Sequence, residues 1–209
     1  MPRTKDRVCV LTSGGVESAA LIAHFLKKRR RVLPVYVSGG YVWEKAELHW
    51  LKRLLKSMAA PGLDPLITLR LSAKEFSDGG SWSLTGRGAP GVHSDDADVY
   101  LPGRNILLLA KASVLCAREG ISAAALGTLR SNPFPDAQPA FFRSYERALS
   151  AGLGKPFKVL TPFSRLKKRE VIARAGPLPW EHSFSCLSPR GLAACGRCNK
   201  CEERRKAFA

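Results

Sequence analysis

The stretch Arg7-Val8-Cys9-Val10-Leu11-Thr12-Ser13-Gly14-Gly15-Val16-Glu17-Ser18 changes character twice within a dozen residues. Residues 7–11 form a short apolar run of the kind that makes a buried strand, and the polar Thr12-Ser13-Gly14-Gly15 segment stops it. From Val16 onward Ala20, Leu21, Ala23, His24 and Phe25 fall at roughly helical spacing, which predicts a helix over 16–28. A turn between a strand and a helix places backbone N–H groups at the helix head without intrahelical partners, where the dipole favours an anion. Gly14 and Gly15 allow close approach of phosphate oxygens, and Ser13 and Ser18 add hydroxyl donors. Thr12, Ser13, Gly14, Gly15, Val16, Glu17 and Ser18 are therefore candidate phosphate-binding residues. The loop lacks the lysine of a Walker loop and the spacing of a dinucleotide fingerprint, and on its own it reads equally well as a glycine-rich turn with a serine cap.

Working outward, the same alternation continues. Strands are predicted at 32–37 (with Pro34 as a blemish), 66–71, 123–126 and 159–161, and helices at 42–58, 104–118, 138–150 and 166–175. Residues 72–99 are rich in Gly, Ser and Asp and read as a long loop, a length usually tied to function or mobility. Parallel strands need crossover helices, so this order predicts an α/β fold with a doubly wound parallel sheet and ligands at the carboxyl ends of its strands. Pro177 and Pro179 end the last helix, which divides the chain into an α/β domain over 1–178 and a small C-terminal region over 179–209.

Composition narrows the function classes. The 209 residues are 45% hydrophobic, enough for a core and against disorder. Lys and Arg number 34 against 17 Asp and Glu, a net charge of +17 that points to an anionic partner such as nucleotide phosphates or nucleic acid. No apolar run reaches the ~18 residues of a membrane helix. Arg3, Lys5 and Arg7 precede an apolar stretch too short for a signal peptide, so a soluble, cytoplasmic protein is expected. The basic runs 27–31 and 204–206 read as solvated faces.

Of the six cysteines, Cys9 and Cys116 stand alone in apolar surroundings and are expected in the core. Cys186, Cys195, Cys198 and Cys201 follow the pattern C-x8-C-x2-C-x2-C. Four thiolates at this spacing suit one tetrahedral Zn2+ with no open position, a structural staple; an iron–sulfur cluster is the alternative. Arg197, Lys200 and Arg204 are expected to offset the charge of the thiolates.

Further polar residues sit at strand ends and helix starts. Arg104 and Asn105 open a helix beside the long loop, and the planar guanidinium fork suits phosphate or carboxylate. Gly127 follows the fourth strand; Asn132-Pro133-Phe134-Pro135-Asp136 is a rigid loop offering one aromatic ring and one carboxylate. Lys168 and Glu170 open the last helix after Thr161-Pro162-Phe163, and Lys168 can reach a phosphate as a point charge.

Taken in order, these segments resemble the 7-cyano-7-deazaguanine synthase family, part of the PP-loop ATP pyrophosphatases. Residues 13–18 look like the SGGxDS loop of the wider group. Leu101-Pro102-Gly103-Arg104-Asn105 looks like VPGRN, Phe134-Pro135-Asp136 like GYPDCR, Thr161-Pro162 with Lys168 and Glu170 like TPL…KxE, and the four cysteines like the family's zinc tail. The resemblance implies an ATP-dependent ligase that converts 7-carboxy-7-deazaguanine and ammonia to the nitrile, a precursor of queuosine in tRNA. It implies ATP with Mg2+, one structural Zn2+ per chain and a homodimer. It places Lys168, Arg104 and Asp136 in catalysis, and residues 12–18, Arg104, Asn105 and Gly127 around the nucleotide. Glu17 stands where the group has Asp, Ser38-Gly39-Gly40-Tyr41-Val42-Trp43 where the family has a polar Gln/Arg/His stretch, and Ala137-Gln138 where it has Cys-Arg. These departures leave open a divergent relative acting on another carboxylate, a tRNA-modifying PP-loop enzyme, or a nucleotide-binding module without turnover. Nucleic acid is compatible with the charge but not required; a membrane is not expected.

Overall fold

Val8 and Val10 face one way and Cys9 the other, as side chains alternate along a strand, and all three are fully buried. This two-sided burial makes β1 (Arg7–Leu11) the centre of the sheet. The computed structural model describes residues 6–209, so Arg3 and Lys5 lie outside the described residues. The strands are β1, β2 (Arg31–Ser38), β3 (Ile67–Arg70), β4 (Ala123–Ala125) and β5 (Lys158–Leu160). All pairings are parallel, in the order β3-β2-β1-β4-β5. Cys9 lies between Leu33 and Ala124 in register. Pairing with β3 begins at Val35, one residue past Pro34, so the missing proline N–H removes no rung from that ladder.

The helices cover both faces. Leu21, Ile22 and Phe25 of α1 (Val16–Lys27), Leu54 of α2 (Glu44–Ser57) and Val171 and Ala175 of α6 (Lys168–Ala175) pack on Val8, Val10, Val32 and Ala125. The short α3 (Trp82–Thr85) lies within the long loop. On the other face, Leu109, Ala112 and Leu115 of α4 (Arg104–Arg118) and Phe142 of α5 (Pro139–Gly152) pack on Cys9, Leu33, Val35 and Ala124. The sheet is thus doubly wound. Cys9 and Cys116 are fully buried there, and their mutual hydrogen bond, then burial, raises the Cys9 pKa well above its ordinary value.

The structure departs from the sequence reading in four places. Several element ends shift by one or two residues: α2 starts at Glu44 because Val42 and Trp43 belong to a turn, and α6 starts at Lys168. The loop 72–99 carries single turns at Ala73–Glu75, Trp82–Thr85 and Asp96–Val99, with Ser83 and Val99 buried. An additional helix, α7 (Asn199–Phe208), emerges from the cysteine tail; its charged sequence has no apolar period to announce it. The basic run 27–31 is not merely solvated. Lys27 Nζ donates to Ala175 O at 2.6 Å, Arg30 to Arg7 O at 3.1 Å, and Arg31 pairs with buried Asp64 at 2.5 Å. Among the described residues no helix is long and apolar enough to cross a membrane.

Phe157 leads into β5 at 2% exposure, inside the α4–α5 face. Phe157→Ala is expected to cost about 3–5 kcal/mol, read from urea unfolding.

Candidate functional site

β1 and β4 are neighbours, yet the helix after β1 lies on one face of the sheet and the helix after β4 on the other. No helix therefore covers the carboxyl ends between them, and a crevice forms at this switch point. Its floor is the loop Ser13–Ser18, and its fit is tight. Gly14 has φ +79°, and an added Cβ would come within 3.0 Å of Leu51 Cβ. A Cβ on Gly127 would lie 2.6 Å from Glu17 Cβ, so β4 can reach the loop only with glycine there. The loop is braced by Ser13 N–H donating to Ser18 Oγ at 3.0 Å, and Phe184 N–H, from the tail, donates to Gly14 O at 2.9 Å. No side chain caps α1 at Gly15, so the N–H groups of its first turn remain available to an anion.

Two cavities share this floor. One, of about 250 Å³, runs over the ends of β1, β2 and β4 and is lined by Leu11, Tyr36, Val37, Leu108 and Leu126 with polar Thr12 and Thr128. The other, of about 270 Å³, lies between the loop, Trp43, Trp82 and the cysteine tail. Ser13, Glu17, Arg104, Gly127 and Phe134 line both. Thr12 Oγ1, Thr128 Oγ1 and Arg104 Nε are buried without a hydrogen-bond partner among the described residues. Unpaired buried polar atoms are costly, and these three belong to residues lining the first cavity, as a site for a polar ligand requires.

The charged residues form a chain across the second cavity. Lys168 Nζ is 2.8 Å from Glu17 Oε1 and 2.9 Å from Glu203 Oε1. The other Glu203 oxygen is 2.9 Å from Lys200 Nζ, which lies 3.7 Å from Asp96. Burial works against the Lys168 charge, but Glu17 and Glu203 outweigh it and raise its pKa. Burial opposes the Glu203 charge too, yet the two lysines lower its pKa. Lys168 is held at the head of α6 because Lys167 N–H donates to Glu170 at 2.7 Å, which gives the Lys168–Glu170 spacing its physical sense.

Arg104 lies over the Tyr41 ring at 5.5 Å, and Tyr41 stacks on Trp43 at 4.8 Å. Both oxygens of buried Asp136 are engaged by Asn105, its N–H at 2.9 Å and its Nδ2 at 3.2 Å, so the carboxylate caps α4 and faces its helix head. Gln138 donates to Asn132 O and Phe134 O at 2.9 and 3.0 Å, and so braces the 132–138 loop. Tyr36 Oη donates to Glu47 at 2.8 Å. Burial pushes Glu47 up to about 7, with Arg104 and the Tyr36 bond pulling the other way.

The four tail cysteines have sulfurs all within 4.8 Å of one another, with Cys198–Cys201 at 3.4 Å and Cys195–Cys201 at 4.0 Å. A zinc tetrahedron with metal–sulfur bonds of about 2.3 Å spaces its sulfurs about 3.8 Å apart, so the group fits such an ion. Leu187 and Cys195 N–H groups point at Cys198 and Cys186 sulfurs, as outer hydrogen bonds to thiolates do. Arg204 feels the charge of Cys201 while it donates to Ser183 Oγ and Trp180 O, whereas Lys200 is paired with Glu203 and Asp96. The tail also anchors the long loop, with Asn199 N–H donating to Pro90 O and its side chain to Ser94 O, both at 2.9 Å.

The structure thus brings together Thr12 to Ser18, Arg104, Asn105, Gly127, Asp136 and Lys168. Sequence reasoning missed Tyr36, Glu44, Glu47, Trp82 and Glu203. Glu44 and Glu47 open the helix after β2, so position at a strand's carboxyl end was a usable signal; Trp82 and Glu203 arrive from distant segments and carried none.

A family model described as "Queuosine biosynthesis protein QueC" matches residues 7–209. The 7-cyano-7-deazaguanine synthase of Leptospira interrogans is 27% identical, covering 98% of this chain and 87% of its own. That of Anaeromyxobacter dehalogenans is 30% identical, covering 97% and 91%. Among solved structures, the U34-tRNA thiolase NcsA of Methanococcus maripaludis, with its [4Fe-4S] cluster, shares the fold at TM-score 0.51 and 14% identity, over 96% of this chain and 63% of the thiolase.

Two consequences are measurable. Gly127→Ala must displace Glu17 and the first turn of α1, so a loss of about 1–3 kcal/mol in unfolding stability is expected. Glu47 holds its proton more tightly folded than unfolded between its ordinary 4.5 and about 7. Folded-state stability should therefore fall as pH rises through that window and level off above it. Melting temperatures of native and Glu47→Gln protein from pH 5 to 8 should show a decline in the native protein that the variant lacks.

Proposed function

The chain belongs to the queuosine biosynthesis protein QueC family, and on that premise we propose that it is an ATP-dependent ligase converting 7-carboxy-7-deazaguanine and ammonia to 7-cyano-7-deazaguanine. The observation that carries this reading is the pair of cavities sharing one polar wall. A ligase that activates a carboxylate must bring a nucleotide phosphate and an acid to the same atoms.

In this reading the nucleoside occupies the cavity over β1, β2 and β4, with its polar groups on Thr12, Thr128 and Arg104. The phosphates lie on Ser13, Gly14, Gly15 and the N–H groups of Val16, Glu17 and Ser18. The flat acid enters the second cavity, whose aromatic wall is Trp43 and Trp82, with Glu47 as an acceptor for ring N–H groups. Arg104 and Lys168 stabilise the negative charge that develops as the carboxylate oxygen attacks a phosphorus of ATP and the bond to the leaving pyrophosphate or ADP breaks. Ammonia then displaces the activated oxygen to give the amide; a second activation of the amide oxygen lets it leave as the nitrogen loses two protons. Asp136 acts on this chemistry through Asn105 and the head of α4, while Asn105 and Gly127 shape the wall. Glu17 would hold the Mg2+ of the nucleotide, which supplies charge neutralisation at the phosphates. The four cysteines would hold one Zn2+ as a structural staple for residues 179–209, an appendage to the α/β domain.

The charge of +17 also motivates a second reading, modification of tRNA by the same activation chemistry. One incubation separates the two. With ATP, ammonia and the deazaguanine acid, the nitrile is expected by mass spectrometry; folded, metal-loaded protein that yields none overturns the substrate assignment. Binding of tRNA that weakens steeply with salt, without nitrile formation, would favour the second reading. Lys168→Met should lower kcat by roughly 10²–10³-fold, the usual loss on removing one transition-state donor. Metal analysis should find about one zinc per chain, and Cys198→Ser protein should lose the metal together with thermal stability.

A further inference from the structure

Lys168 is the most constrained cation at the crevice. It is 11% exposed and holds two carboxylates within 2.9 Å, from opposite ends of the chain. The two are not equivalent. Glu17 sits in the first turn of α1 and lines both cavities, where an incoming phosphate and its cation compete for it. Glu203 belongs to α7, lines only the second cavity, and is itself fixed by Lys200 at 2.9 Å. α7 begins at its cap Cys198 and carries Cys201 in its first turn. Two of the four clustered sulfurs thus belong to the head of the helix that presents Glu203, whose rotation a metal on those sulfurs would fix.

We infer that Glu203 is the positioning residue for Lys168: it holds the ammonium beside the phosphate loop when Glu17 turns to the nucleotide, and so ties the cysteine tail to the nucleotide site. The inference rests on the reading above in which Lys168 meets a phosphate. The physical reason is entropic and electrostatic. A lysine side chain loses rotamer freedom when fixed, and a paired carboxylate meets that cost before ligand arrives. Arg174 and the other cations of α6 do not line the second cavity, which leaves Lys168 as the cation of that helix facing it.

The test uses full-length, metal-loaded protein as Glu203→Gln, Glu203→Asp, Lys168→Met and the Glu203→Gln/Lys168→Met double variant. Metal content and melting temperature are recorded for each. With ATP, kcat should fall by roughly 10–100-fold in Glu203→Gln, the loss expected when the charge-assisted bond that places a transition-state donor is removed, with partial recovery in Glu203→Asp. The double variant should be no worse than Lys168→Met alone, because both changes remove one interaction. Independently of ATP, acylation of Lys168 by an amine reagent, mapped by mass spectrometry, should speed up in Glu203→Gln. Unchanged labelling of Lys168, or losses that add in the double variant, would overturn the inference. Faster labelling with no ATP binding by the native protein would uphold the anchor and sink the ATP reading instead.

Discussion

The rest of the molecule depends on one topological constraint. In a parallel sheet ordered β3-β2-β1-β4-β5, the chain leaves β1 and β4 toward opposite faces. The gap between their carboxyl ends cannot be closed by either departing helix. The polar groups that line the two cavities are arranged around that gap. Gly127 approaches Glu17 too closely for a Cβ, which holds the loop 13–18 against the end of β4.

What closes the gap on its open side is the C-terminal tail. Residues 179–209 contain little that can form a core by themselves, and α7 is strongly polar. The tail is held instead by directional contacts: Phe184 N–H on Gly14 O, Trp50 Nε1 on Leu192 O at 2.7 Å, and Asn199 on the long loop. Phe184, Leu187, Cys186 and Cys198 pack with Ala46 of α2 and Val99 of the loop in a small apolar cluster. A metal on four thiolates would add the cross-link that such a segment cannot supply through burial. The same helix carries Glu203 and Lys200, and through the Glu203–Lys168–Glu17 ion pairs it is joined to the loop after β1.

The departures from the family pattern acquire distinct meanings in three dimensions. Gln138 satisfies two carbonyls of its own loop and is a local brace. The segment 38–43 rebuilds one wall. Glu44 takes N–H groups of Gly39 and Gly40 and the Ser38 hydroxyl, which fixes the turn that carries Tyr41 and Trp43. The wall is consequently aromatic, with Trp43 5.6 Å from Trp82. Glu17 keeps the carboxylate of the pattern and pairs with Lys168.

The alternation of strands and helices, the glycine-rich turn between β1 and α1 and the cysteine cluster were legible in the residues alone. Each of these is a local pattern: an apolar period, a glycine-rich turn at a helix head, or ligands two residues apart. The core positions of Cys9 and Cys116 were legible for the same reason, since their flanks are apolar. Folding alone places Lys168 between Glu17 and Glu203, caps α4 with Asp136, and engages residues 27–31 with Ala175, Arg7 and Asp64. Those pairs join segments between 23 and 151 residues apart, and charged side chains carry no period that reveals their partners. Which carboxylate meets which cation is set by where the sheet order brings the helix ends, and that order exists only in the folded chain.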